Sequence, residues 1–175
     1  MIVGIAGKKG AGKDTLAELF VANGFTKYAF ADHLRIAASE IFEIPIEQFT
    51  DNSYKDSYFT KSGWFGSRKT YKIKMNLKMR MRFVKYFREV YRTDVLMNHL
   101  EVFHGVEFEK PRDMLQFIGT TVCRGLIDSN FHVNHVFNQI NLDYAKNYVI
   151  SDARFKNERD AIEQSGGINI LVRRR

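Results

Sequence analysis

Cysteine is almost absent from this 175-residue chain: Cys123 stands alone. A single thiol excludes an internal disulfide and suits a reducing compartment, so a cytoplasmic setting is expected. In its apolar helical surroundings Cys123 reads as a small buried hydrophobe. No stretch approaches the roughly 18 consecutive apolar residues of a membrane span, so no membrane partner is expected. The N-terminus runs straight into an apolar strand without a basic leader or cleavage site, so no signal peptide is expected. Internal repeats and low-complexity tracts are missing. His33, His99, His104, His132 and His135 show no metal-ligand spacing with Cys or acids, and read as surface or packing residues.

What the chain has is apolar content and positive charge. Hydrophobic residues make up 45 % of it, and its mean hydropathy is −0.32. These values describe a globular protein large enough to bury a core, most simply as one domain over residues 1–175. The net charge of +7 suits a nucleic-acid partner, and equally an enzyme whose substrates are polyanions.

The stretch that organises the rest is Met1 to Thr15. Ile2 to Ala6 reads as a buried strand and Leu16 to Ala22 as a helix. Between them lies Gly7-Lys8-Lys9-Gly10-Ala11-Gly12-Lys13, a phosphate loop. Glycines let the backbone curl so that successive N–H groups point at phosphate oxygens, and the following helix adds its dipole. Lys13 then reaches the β- and γ-phosphates of a nucleoside triphosphate such as ATP. Such loops usually end Gly-Lys-Ser/Thr, with the hydroxyl on Mg²⁺; here Asp14 follows Lys13 and Thr15 comes next. Asp14 can hold Mg²⁺ directly or through water, or serve only as a first-turn acid favoured by the helix dipole. Thr15 can hydrogen-bond a phosphate instead.

Further along, Asn23-Gly24 ends the first helix and Phe25 to Phe30 reads as a second strand. Ala31 to Phe42 reads as a helix with Leu34, Ala37, Ala38 and Ile41 on one face. Residues 51–74 are irregular, polar and aromatic, with Gly63 and Gly66 around Trp64-Phe65. They predict a flexible excursion or a hairpin returning near Thr70 to Lys74. From Met75 to Arg92 lysine and arginine alternate with aromatics, and Met79, Phe83, Tyr86 and Phe87 share one helical face. An amphipathic helix packed by its aromatics, or a part in closing over phosphates, is favoured here over nucleic-acid binding. Residues 51–92 thus read as a basic, substrate-covering insertion. Val95 to Phe103 predicts a helix. Arg112 to Arg124 predicts another, with Leu115, Ile118, Val122 and Leu126 as its apolar stripe and Arg112, Gln116 and Arg124 at its edges. Asn130 to Tyr144 is a further helix, Tyr148 to Asp152 a short buried strand, Phe155 to Ser165 a helix, and Ile168 to Val172 the last strand.

Strands separated by helical segments predict an α/β fold with a parallel sheet flanked by helices. In such sheets sites lie at the carboxyl ends of the strands. Gly7 to Thr15, Asp32 with Arg35, and Asp152 with Arg154 are therefore expected around one crevice. Asp152, at the end of an apolar strand, reads as an acid for Mg²⁺ and also as a helix N-cap, two roles that can coexist. Arg154 reads as a stabiliser of charge on a transferring phosphoryl group.

Taken together, these motifs resemble one family, the bacteriophage deoxynucleoside monophosphate kinases. The resemblance rests on Gly7-x-Lys9-x-x-Gly12-Lys13-Asp14-Thr15 and Phe30-Ala31-Asp32-x-Leu34-Arg35. It continues with Pro111-Arg112-Asp113-x-Leu115-Gln116-x-x-Gly119-Thr120 with Arg124, and Ser151-Asp152-x-Arg154-Phe155-x-Asn157-Glu158 followed by Gly166-Gly167. It implies a P-loop NTPase-type fold, Mg²⁺-dependent transfer of the ATP γ-phosphoryl group to a deoxynucleoside monophosphate, and a homodimer. It also implies that Lys13, Arg124, Arg154 and Asp152 are catalytic, that Asp32, Arg35, Arg112, Gln116 and Arg124 contact the acceptor, and that Asp14 and Asp152 hold the metal. The departure is at the end: members of the family continue past the last strand, whereas this sequence stops at Arg173-Arg174-Arg175. Two other readings stand beside it. One is a phosphate-loop kinase for another acceptor, of dephospho-coenzyme A or phosphomevalonate type. The other is a nucleotide-regulated nucleic-acid-binding protein that uses the surface from Lys61 to Arg92.

Overall fold

The computed structural model describes residues 1–62, 67–142 and 147–173. Gly63-Trp64-Phe65-Gly66, within the expected excursion, the end of the helix expected to reach Tyr144, and Arg174-Arg175 lie outside the described residues. In chain order the elements are β1 (Ile2–Gly7), α1 (Lys13–Ala22), β2 (Thr26–Tyr28), α2 (Asp32–Phe42), α3 (Glu47–Thr50) and α4 (Asn52–Lys55). Next come β3 (Thr60–Ser62), β4 (Arg68–Thr70), β5 (Ile73–Lys74) and α5 (Leu77–Tyr91), then two 3-10 turns at Val95–Asn98 and Leu100–Phe103. The chain continues with β6 (Glu107–Phe108), α6 (Pro111–Gln116), a π-helix over Phe117–Ile127, α7 (Phe131–Leu142), β7 (Tyr148–Ile150), α8 (Lys156–Gln164) and β8 (Ile168–Val172). Met1–Asp32 with Ser129–Arg175 form one compact unit, and His33–Asp128 another.

The first unit is built on a four-stranded sheet in the order β2-β7-β1-β8. Every pairing is parallel, with Val3 opposite both Val149 and Ile168. Strand side chains alternate between faces. Val3, Ile5 and Val149 therefore meet Leu16, Ala17 and Phe20 of α1 on one face. On the other, Ile2, Tyr148 and Ile150 meet Val133, Val136 and Ile140 of α7 and Ile162 of α8. Helices cover both faces, as parallel sheets require. This is the expected α/β architecture, and it is a P-loop NTPase-like arrangement.

The second unit is helical with two small antiparallel sheets of two strands each. β3 and β4 pair antiparallel with Thr60 opposite Thr70, so the hairpin expected within residues 51–74 is present. Ile73-Lys74, which the sequence places in its returning arm, pairs instead with Phe108-Glu107. Phe83 and Phe87 of α5 are buried among Phe42, Phe103, Phe117 and Tyr91. The aromatic face read from the sequence is thus a packing face. Two expectations need correction. Residues 95–103 form two 3-10 turns rather than one helix. The helix from Pro111 changes to π geometry at Phe117, and its buried residues are Pro111, Met114, Ile118, Gly119, Val122 and Cys123. Leu115 and Leu126, expected in the stripe, are only half-buried. Leu115 sits in the α-helical turn before Phe117, one position past buried Met114. For Leu126, a π turn takes more than 3.6 residues and rotates later positions off the α-helical line. Among the described residues no helix is long and apolar enough to cross a membrane.

Candidate phosphate-binding site

β1 is buried from Val3 to Ala6 and delivers the chain to the carboxyl edge of the sheet at Gly7. There the backbone leaves the region open to other residues. Gly7 has φ +154°, and a Cβ on it would stand 2.6 Å from the Val172 carbonyl oxygen and 3.4 Å from Lys13 Cγ. Gly12, at the N-cap of α1, takes φ +97°. Substituting Gly7 by alanine is expected to cost about 1–3 kcal/mol, because both the backbone conformation and the β1–β8 pairing must shift. Urea unfolding against wild type checks it.

Between those glycines the Ala11 N–H donates to the Lys8 carbonyl at 3.2 Å, closing a turn. The Lys13 ammonium donates to the same carbonyl at 2.8 Å and so lies back across the loop. Lys8 and Gly10 are exposed, while Ala11 and Lys13 are half-buried. Asp14 and Thr15 are exposed in the first turn of α1. Glycine-shaped backbone, a ten-residue helix starting at its end, and a cation spanning it make this loop the candidate site for an anion.

β7 ends at the same edge of the sheet. The Asp152 carboxylate, just beyond it, accepts from the Phe30 N–H at 2.7 Å and the Ala31 N–H at 3.1 Å. It therefore ties the end of β7 to the turn between β2 and α2, where exposed Asp32 opens the helix. The Ala153 N–H donates to the Ile5 carbonyl at 3.1 Å, fixing the same turn against β1. Burial pushes the Asp152 carboxyl up to about 6; the Phe30 N–H opposes that and the neighbouring Glu158 charge adds to it. The folded, ligand-free protein thus keeps this proton to higher pH than an unfolded chain whose Asp titrates near 3.8. Stability is expected to fall as pH rises from about 4 to about 6, by up to about 3 kcal/mol from this group. Urea unfolding in EDTA checks it: wild type should lose stability relative to Asp152→Asn across that window.

Arg154 presents an exposed side chain from a pinned backbone. Its N–H and that of Phe155 donate to Glu158 Oε2 at 2.7 and 2.9 Å. Its carbonyl accepts from Arg159 Nη1 at 2.7 Å. Glu158 is buried at 2 % exposure. Reading the motif gives this residue no role. It is the acid that caps α8 and holds the turn carrying Asp152 and Arg154. The signal was available, since a Glu three residues into a helix reaches back to the cap N–H groups.

Among the described residues no group of three or more His, Cys, Asp or Glu is placed to hold a metal ion. The donor set fits Mg²⁺, which binds through one or two carboxylates, waters and substrate phosphates rather than in an all-protein cage. Asp152 has lone pairs beyond the two N–H bonds it accepts, and Asp14 is exposed at the loop.

The remaining expected site residues belong to the second unit. Arg35 lies on α2, half-buried. Arg112 forms a two-pronged pair with Asp56, through Nε to Oδ1 and through Nη2 to Oδ2 at 3.0 Å. That pairing raises its pKa and commits much of its guanidinium. Gln116 is exposed and Arg124 half-buried, on either side of the start of the π-helix. Asp113, which the resemblance leaves without a role, accepts from the Glu109 and Lys110 N–H groups at 2.9 Å and so starts α6.

Fold and loop define the class: an α/β protein with a P-loop NTPase-like sheet and a candidate phosphate site at its carboxyl edge. No protein-family model matches the chain. It is 27 % identical over 186 aligned residues to a protein of Acanthamoeba polyphaga mimivirus named "Putative deoxynucleotide monophosphate kinase". The alignment covers 99 % of this chain and 74 % of that protein. The similarity supports a kinase relationship; its source is a giant virus, and it gives no support to a bacteriophage origin.

Proposed function

We propose that this chain is an ATP-dependent kinase that phosphorylates 2′-deoxynucleoside 5′-monophosphates. The observation that carries the reading is the loop from Gly7 to Thr15, with the Lys13 ammonium resting on a backbone carbonyl within it. The mimivirus relative supports the choice of acceptor. In the reaction a phosphate oxygen of the monophosphate attacks the ATP γ-phosphorus. The bond to the β–γ bridging oxygen breaks, and ADP leaves with the electron pair. Little covalent help is needed, so the demand falls on positioning and on charge.

In this reading the Gly7, Lys8, Gly10, Ala11 and Gly12 backbone cradles the ATP phosphates, with Thr15 beside them. Lys13 exchanges its carbonyl partner for the β- and γ-phosphates. Arg154 neutralises the phosphoryl group in flight. Asp152 and Asp14 orient the ion, directly or through water, and the Mg²⁺ that travels with ATP supplies further charge neutralisation. Asp32, Arg35, Gln116 and Arg124 are the proposed acceptor contacts. Arg112, paired with Asp56, is proposed to shape that site rather than to carry the phosphate.

ADP release from ATP and Mg²⁺ with dAMP, dGMP, dCMP or dTMP in turn tests the acceptor class. Stimulation by one or more of them, beyond that by ribonucleotides, is expected. Release independent of any monophosphate would refute the assignment.

A further inference from the structure

In the second unit α5 has two apolar faces. One holds Phe83, Tyr86 and Phe87 and is buried. The other holds Leu77, Met81 and Val84, spaced i, i+4 and i+7, and faces a groove of about 430 Å³ completed by Met97 and Leu100 of the 3-10 turns. Leu77 is 72 % exposed, Met81 65 %, Met97 48 % and Leu100 43 %. A contiguous apolar groove of this kind on a monomer surface marks an interaction site, and two methionines make its walls adaptable.

Charge says what fits it. Arg80, Lys85 and Arg88 line the groove against a lone acid, Glu89. The pairs Arg88–Asp94 and Lys85–Glu89 are exposed, and the second is stretched to 4.0 Å, so they bind the cations weakly. Arg80 Nε is buried without a hydrogen-bond partner among the described residues. A second copy of this chain, which carries a net +7, would bring the same cations against themselves. A bilayer is flat and cannot follow a concave wall.

We propose that this groove docks an amphipathic helix of a partner protein, its apolar anchors spaced i, i+4 and i+7 and flanked by acidic residues. Such a helix lays its anchors into the groove as helix-in-groove complexes do. Its carboxylates meet Arg80, Lys85 and Arg88, which line the groove.

The test uses the full chain and a fluorescein-labelled model helix of about 18 residues, with leucine anchors at that spacing and glutamate flanks, followed by anisotropy. A matched helix with lysine flanks is the control. Saturable binding of the glutamate helix is expected, about tenfold or more tighter than the lysine helix, and about tenfold weaker in Met81→Glu, Leu100→Ala and Arg80→Ala. Met81 and Leu100 are exposed, so circular dichroism of these variants should match wild type; Arg80→Ala keeps the test open if one does not. Equal binding of the two helices, no binding, or binding indifferent to all three substitutions would overturn the proposal. So would concentration-dependent dimerisation abolished by Met81→Glu, which assigns the groove to a second copy. Binding to phosphatidylserine vesicles, lost in Met81→Glu while neither helix binds, would assign it to a membrane surface.

Discussion

Replacing Lys13 by alanine is expected to lower turnover by about 10³-fold, or about 4 kcal/mol of transition-state stabilisation. The side chain donates to the Lys8 carbonyl of its own loop. A single half-buried hydrogen bond of this kind adds little to folding. Its ammonium gains strength only where phosphate charge accumulates and water is thin. Turnover and fold should therefore separate: kcat collapses while the urea midpoint stays within experimental scatter of wild type. Lys13→Arg should not restore the rate, since a planar guanidinium does not replace a compact point charge in a tight loop. Steady-state kinetics with parallel unfolding curves check both parts.

Glu158 is expected to give the largest combined effect on stability and activity. One of its carboxylate oxygens accepts two N–H groups at the start of α8, from Arg154 and Phe155. Alanine would leave both donors without that acceptor and open a hole at a buried position, at about 2–3 kcal/mol. The turn it releases carries Asp152 and Arg154. In the proposed reaction a displacement of about 1 Å there lowers kcat by roughly 10²-fold. Glu158→Gln keeps an oxygen acceptor and should recover most of the stability. It also removes a negative charge that raises the Asp152 pKa, so the low-pH side of its activity profile should move to lower pH. A merely structural Glu158 would not shift that profile.

The difference between these two residues shows what the sequence makes legible. Lys13 is readable because a strand, glycines at fixed spacing and a helix all lie within about fifteen consecutive residues, and local geometry settles the loop. α2 is readable for a similar reason: it is a single periodic segment whose apolar face, Leu34, Ala37, Ala38 and Ile41, is the buried one. Glu158 is harder because its value comes from burial, and burial depends on α7, α8 and β7 packing together. The short pairing of Ile73-Lys74 with Glu107-Phe108 joins segments over thirty residues apart, which no local pattern encodes. The shift to π geometry after Gln116 was likewise invisible. Apolar periodicity assumes i→i+4 bonding, so past Phe117 it points to Leu126 where the fold buries Cys123. Arg112 is expected at the acceptor on the strength of the resemblance. The anion it meets is Asp56, contributed by the segment just after α4.

Transfer of label from [γ-³²P]ATP tests the central claim most directly. With Mg²⁺ and a deoxynucleoside monophosphate, label is expected in the β-position of the deoxynucleoside diphosphate, in amounts equal to the ADP formed and absent with Lys13→Ala. Label found only in inorganic phosphate, or ADP formed whether or not the monophosphate is present, would contradict it.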